Sequence, residues 1–155
     1  MADWTSLRLT WEPRVLSILR IMTGLLFLEH GLNKLFNFPA TPNHAAYSLS
    51  TLFSSLSPGL QGPIEVVGGV LLAFGLFTRP VAFILAGDMA FAYFWAHAPR
   101  GFFPLSNGGN GGELAILYCF VFLYLWLAGG GEWSLDRLWR RGTTSSSGVT
   151  AGRAA

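Results

Sequence analysis

Five ionisable side chains stand at the ends of apolar segments: Glu29, His30, Glu65, His97 and Glu113. Carboxylates and imidazoles together can hold or pass a proton, and both can hydrogen-bond an oxygen-bearing ligand. The stretch LLFLEHGLNKLF, residues 25–36, shows the problem they raise. A charge inside a membrane-spanning helix costs roughly 3 kcal/mol, so it needs a proton, a counter-charge or a ligand. Lys34 and Arg100 are placed to supply counter-charge, and Tyr93, Trp95, Phe102 and Phe103 to supply an aromatic wall. Asp88 lies deeper in its segment. Nine residues separate it from His97, about 180° around an ideal helix, so it reads either as a protonated group hydrogen-bonded inside the bundle or as a second polar site.

The elements that hold these groups follow from composition. The chain has 155 residues, which points to one domain. It is 52% hydrophobic and only 12% charged, against about 25% charged in a soluble domain. Such a chain reads as an integral membrane protein. A net charge of +2 with no Lys/Arg face argues against nucleic acid. The single cysteine, Cys119, excludes an intrachain disulfide, a CxxC pair and a cysteine-built metal site. HExxH and Glu-x-x-His are both absent, no histidine pattern fixes a haem, and no metal is expected. The first apolar segment runs into Glu29 without a small-residue cleavage site, so it does not read as a signal peptide.

Apolar runs at 15–35, 63–77, 81–98 and 113–128 predict four helices, because lipid tolerates no open backbone. The expected fold is an all-α integral membrane protein, an antiparallel four-transmembrane-helix bundle over residues 1–141. A Ser/Thr/Gly-rich tail, expected to be disordered and cytoplasmic, follows at 142–155. Thr78-Arg79-Pro80 reads as the turn between the second and third helices, 99–112 as a Gly-rich loop, and 45–56 as a short outer helix. Trp4, Leu7 and Trp11 share a helical side before the first span. WSLDRLWRR after the fourth reads as an interfacial helix capped by Ser134. Eight arginines (8, 14, 20, 79, 137, 140, 141 and 153) fall on one side of this topology, and only Lys34 and Arg100 on the other. The positive-inside bias then makes both termini cytoplasmic. The five ionisable groups converge at the opposite depth. A stripe of Ala82, Ala86 and Ala90, and the glycines beside Glu65, mark faces turned to the interior.

Ordered pieces of the chain resemble the DoxX family of small four-span membrane proteins. They are RIMTGLLFLEHGLNKL (20–35), EVVGGVLLAFGLFTRP (65–80), AGDMA (86–90) with His97 and GFFP (101–104), GGELA (111–115), and GGG (129–131) with SLDR (134–137). The resemblance implies a bacterial inner-membrane protein. It is similar to small subunits of thiosulfate:quinone oxidoreductase or terminal quinol oxidase, and to relatives linked to oxidative-stress assemblies. The family's polar positions fall on Glu29, His30, Lys34, Glu65, Arg79, His97 and Glu113.

Three function classes remain at this level. The first is a quinone- or lipid-binding subunit of a redox or oxidative-stress complex, which would need an electron acceptor from elsewhere. The second is a non-enzymatic scaffold or assembly factor, with a homodimer as one form. The third is a small-molecule transporter, for which four spans are few and no inverted repeat or broken-helix pair is visible.

Overall fold

A computed structural model describes residues 3–42, 47–48, 50–51, 59–105 and 110–146, with side chains as far as Arg140. The described regular structure is helical. Helix α1 (Trp4–Phe36) opens on Asp3, whose carboxylate accepts from the Thr5 amide, and closes on Asn37 in the left-handed region. Trp4, Leu7 and Trp11 are exposed on the first turns of this same helix rather than on a separate piece. Helix α2 is Gln61–Phe74 and helix α3 is Thr78–Ala92. A π-turn at Tyr93–His97 and a 3₁₀ turn at Ala98–Arg100 extend α3. Helix α4 is Glu113–Ala128 and helix α5 is Leu135–Ser146.

The α2–α3 turn lies three residues earlier than the proline suggests. Gly75 takes φ 68° with its N–H on α2 carbonyls, and the Leu76 N–H reaches the Leu71 carbonyl, a Schellman stop. Thr78, Arg79 and Pro80 then form the first turn of α3, where proline is tolerated. The amides of Phe77 and Thr78 donate to the two carboxylate oxygens of Asp136, at 2.7 and 2.8 Å. A residue at the start of α5 therefore caps α3. Helix α5 continues to Ser146, beyond the Gly142 at which composition reads as tail. Residues 147–155, and most of the helix expected at 45–56, lie outside the described residues.

Helices α1 and α2 run against each other in opposite directions. A Cβ on Gly24 would stand 2.7 Å from the Ala73 nitrogen, one on Gly69 2.7 Å from the Leu28 nitrogen, and one on Gly31 2.7 Å from the Val66 nitrogen. Only glycine permits that approach of backbones. Leu85 of α3 fills the space over Gly68, and α4 lies along α3. Phe27, Leu72, Ala82, Leu85, Ala86, Met89, Phe122 and Leu125 form the core, with Phe27 edge-on to Phe122 at 4.9 Å. The expected interior face of α3 is thus present at Ala82 and Ala86, while Ala90 is half-buried.

The outer faces are apolar and uncovered: Leu25, Leu26, Phe83, Ile84, Leu117 and Phe120 are all exposed, while Arg20 and Glu65 are buried. Charge inside and hydrocarbon outside is the pattern a bilayer imposes. Two helical stretches, Trp4–Phe36 (33 residues) and Thr78–Arg100 (23 residues), are long and apolar enough to cross a membrane. Gln61–Phe74 and Glu113–Ala128 are shorter apolar helices.

Candidate functional site

The helices bring polar groups together at both ends. At the end holding the C-terminal part of α1, Lys34 Nζ reaches Glu65 Oε1 at 2.6 Å and Gln61 Oε1 at 3.4 Å. Gln61 and Glu65 share one face of α2 because they stand four residues apart. Gln61 also hydrogen-bonds Asp88 of α3. Glu65 is 2% exposed, and among the described residues its second oxygen Oε2 has no hydrogen-bond partner; neither does Asp88 Oδ2.

Asp88 therefore belongs to the Lys34–Gln61–Glu65 network rather than to a second polar site. The ideal-helix angle fails because of the π-turn. There the Ala98 N–H bonds the Tyr93 carbonyl, five residues back, so the turn holds one extra residue. That residue takes up about 100°, and the 180° separation of Asp88 from His97 shrinks to about 80°.

A cavity of about 320 Å³ opens beside this network. Its polar lining comes from His30, Lys34, Gln61, Glu65, His97 and Tyr118, and its apolar lining includes Phe27, Met89 and Leu114. His97 Nδ1 lies 2.7 Å from the Asn110 carbonyl. A carbonyl only accepts, so Nδ1 carries the hydrogen and Nε2 is left as an acceptor. Asn110 is buried and holds the loop around His97. It donates to the Gly101 carbonyl and accepts from the Gly112 amide, both at 2.7 Å.

Of the residues expected to converge, His30, Glu65 and His97 share the cavity, and Lys34 joins them. Glu29 does not: it is exposed, one position and about 100° from His30. Glu113 and Arg100 line a different opening with Pro104 and Leu105. The aromatic wall also differs from expectation. Trp95, Phe102 and Phe103 are exposed, and Tyr93 is buried with its hydroxyl donating to the Phe102 carbonyl. Phe27 and Tyr118 take that place, with Tyr118 stacked on Phe122 and edge-on to His30. Ala115, Tyr118, Phe122 and Leu125 share one helical side, but apolar residues occupy every side of α4, so the sequence carries no signal for Tyr118.

At the opposite end Arg20 is completely buried. Its guanidinium donates to the carbonyls of Gly130 (2.8 Å), Ala73 (2.6 Å), Trp133 (2.5 Å) and Leu72. Leu72 and Ala73 end α2, where carbonyls lack intrahelical donors, and a cation also suits the negative end of the helix. Arg20 thus ties α1 to the end of α2 and to the 129–134 turn. Counting it with the surface charges of its flank missed this role. The signal was its place amid apolar residues within the first span.

The apolar exterior and buried ionisable groups define a helical membrane protein, and comparison with known proteins agrees. The DoxX family profile matches residues 15–98, and the chain belongs to that family. It is a bacterial membrane protein. An uncharacterized protein of Haemophilus influenzae is 43% identical over 131 residues, covering 81% of this chain and 91% of that one. An uncharacterized membrane protein of Mycobacterium tuberculosis is 29% identical over 146 residues, covering 87% of each. CatD of Bacillus subtilis, provisionally named an oxidoreductase, is 36% identical over 69 residues, 44% of this chain and 49% of that protein. No solved structure matches.

Proposed function

We propose that this chain is an inner-membrane protein that binds a quinone-type ring in the Lys34–Glu65 cavity and serves a redox or oxidative-stress complex. In this reading α1 to α4 all cross the membrane as an antiparallel four-helix bundle with both termini cytoplasmic. The arginines gathered on α1, α3 and α5 at one end support that orientation, since short loops follow the positive-inside bias. Helices α2 and α4, of 14 and 16 residues, reach only about 21–24 Å, which suits local thinning of the bilayer.

The observation that carries the ligand reading is Glu65. One carboxylate oxygen is held by Lys34 and the other is buried without a partner among the described residues, beside a largely apolar cavity that also meets His97. A buried acceptor of this kind favours a ligand hydroxyl or other donor. The cavity volume falls at the low end for small-ligand sites, enough for one ring with its substituents. Phe27 and Tyr118 offer the ring a face, and His97 Nε2 is a second acceptor, so the two hydroxyls of the reduced quinol are what the site's polar groups match. Electron transfer would need an acceptor from a partner. The provisional oxidoreductase name of CatD is in keeping with that setting.

Titration of the purified protein with a short-chain benzoquinol and, separately, its quinone, read by native mass spectrometry, tests the reading. The wild type should hold one quinol, more tightly than the quinone. His97→Ala, and a Lys34→Met/Glu65→Gln pair that removes both charges together, should weaken binding at least about tenfold, the worth of one hydrogen bond to a charged group. A wild-type protein that binds no quinone, in either redox form, overturns it.

Glu29 favours a second reading, a non-enzymatic scaffold or assembly factor. It is an exposed carboxylate about 10 Å from the end of α1, without an ion pair among the described residues. Such a group in lipid calls for a partner helix, either from another protein or from a second copy. Glu29→Gln should then release a co-purifying chain with the melting curve unchanged. A wild-type protein that purifies as a bare monomer argues against it.

A further inference from the structure

The end of the molecule away from the Lys34–Glu65 cavity carries a larger cleft, of about 670 Å³. It lies between the first turns of α1, the start of α3, the 129–134 turn and α5. Four guanidinium groups line it: Arg14, Arg79, Arg137 and Arg140. Two carboxylates accompany them, and both are engaged. Glu132 accepts from Arg14 at 3.2 Å and pairs with Arg137 at 3.5 Å, while the two oxygens of Asp136 receive the amides that begin α3. The cleft keeps an excess of two positive charges. Arg79 stands beside Gly129, where a Cβ would come 3.5 Å from its Nε, and has no ion pair among the described residues.

The surroundings decide what kind of anion this charge suits. Leu9 on the cleft rim is exposed, and so are Trp4 and Trp11 on the same turns of α1. On α5, Leu135, Leu138 and Trp139 are exposed along one side, while Arg137 and Arg140 line the cleft. A helix with arginines on one face and Leu/Trp on the other lies in the plane of the headgroups, where tryptophan also concentrates. The cleft therefore sits at headgroup level with hydrocarbon-compatible surface on both flanks. Arginine forks match the oxygens of a phosphate in pairs.

We propose that this cleft is a binding site for the phosphate-bearing headgroup of an anionic phospholipid. Arg79 and Arg140 grip the phosphate, and the Leu/Trp faces of α1 and α5 lie along its acyl chains. The site is separate from the Lys34–Glu65 cavity and does not depend on what that cavity holds. Arginine chemistry alone would also accept a free phosphate. The apolar flanks assign the lipid as its source.

The test uses the full chain in nanodiscs of equal parts phosphatidylglycerol and phosphatidylcholine, released into the gas phase for native mass spectrometry. Phosphatidylglycerol should be retained over phosphatidylcholine. Arg79→Gln should reduce that retention about fivefold, and Arg79→Gln/Arg140→Gln about 25-fold, at about 1 kcal/mol per cation. Both residues are exposed and outside the core, and an unchanged melting curve verifies the fold. Glu132→Gln works in the other direction. It removes a competing carboxylate and should raise retention, so a loss of signal by misfolding cannot imitate the result. Equal retention of the two lipids, or retention indifferent to all three variants, overturns the proposal. Millimolar inorganic phosphate that binds and displaces the lipid would assign the site to a soluble anion and overturns it as well.

Discussion

Arg20 and Glu65 are both buried charges in the same bundle of helices, about 15 Å apart along the helix axes, and they are treated differently. Arg20 meets four carbonyl acceptors from two parts of the chain. Glu65 has one oxygen on Lys34 and the other without a partner among the described residues, next to a cavity. A buried polar group with a partner on every polar atom fixes structure; one with an oxygen left over, beside a cavity, is a candidate for a ligand. The difference teaches that depth and burial alone do not separate a structural charge from a functional one. The count of satisfied bonds does.

The largest loss of stability is expected at Arg20. Arg20→Met takes the guanidinium from four carbonyls, of which Leu72 keeps the Gly75 N–H, and should destabilise the protein by about 3–5 kcal/mol, seen as lost cooperative melting in detergent. Arg20→Lys should recover little, because an ammonium cannot reproduce the fork. An Arg20→Met protein that melts like wild type would erase the distinction. The seam joining the two ends comes next. Gly69→Ala forces a methyl to 2.7 Å from the Leu28 backbone and should cost about 1–3 kcal/mol. Gly87→Ala, with nothing within 4 Å, should be neutral or stabilising by up to about 1 kcal/mol. Melting temperatures of the pair read the difference directly. The smallest expected effect on stability is at the other charge. Lys34→Met/Glu65→Gln removes both partners of a buried pair, a change often neutral in free energy, and should melt within about 1 kcal/mol of wild type. A collapse of the fold in that double variant would make Glu65 structural after all.

Much of this was legible before any coordinates. Apolar runs mark α1 to α4, and the Leu/Arg/Trp pattern after Ser134 marks α5, because both signals are periodic and local. Glu65 reads as interior from the glycines on its face. What failed depends on geometry that no local pattern carries. The π-turn changes the facing of everything beyond Tyr93, so Asp88 was separated from a network to which it belongs. Gly75, not the later proline, stops α2, because a left-handed cap was available first. On α4 nearly every residue from 114 to 128 is apolar, so hydropathy alone could not tell Tyr118 on the cavity from Leu117 and Phe120 on the outside. Arg20 was invisible as a clamp because its partners are carbonyl groups, which any residue possesses.

The clamp has a consequence in time. Arg20 is 52 residues from Leu72 but 110 from Gly130 and 113 from Trp133. A ribosome adding about 5–20 residues per second delivers Gly130 roughly 5–20 s after Arg20. Over that interval the α1–α2 pair can offer the guanidinium only the two carbonyls at the end of α2. A nascent chain in this state carries a half-coordinated cation at the membrane edge, held near water until the last turn arrives. The 129–134 turn then supplies the remaining two carbonyls and completes the clamp.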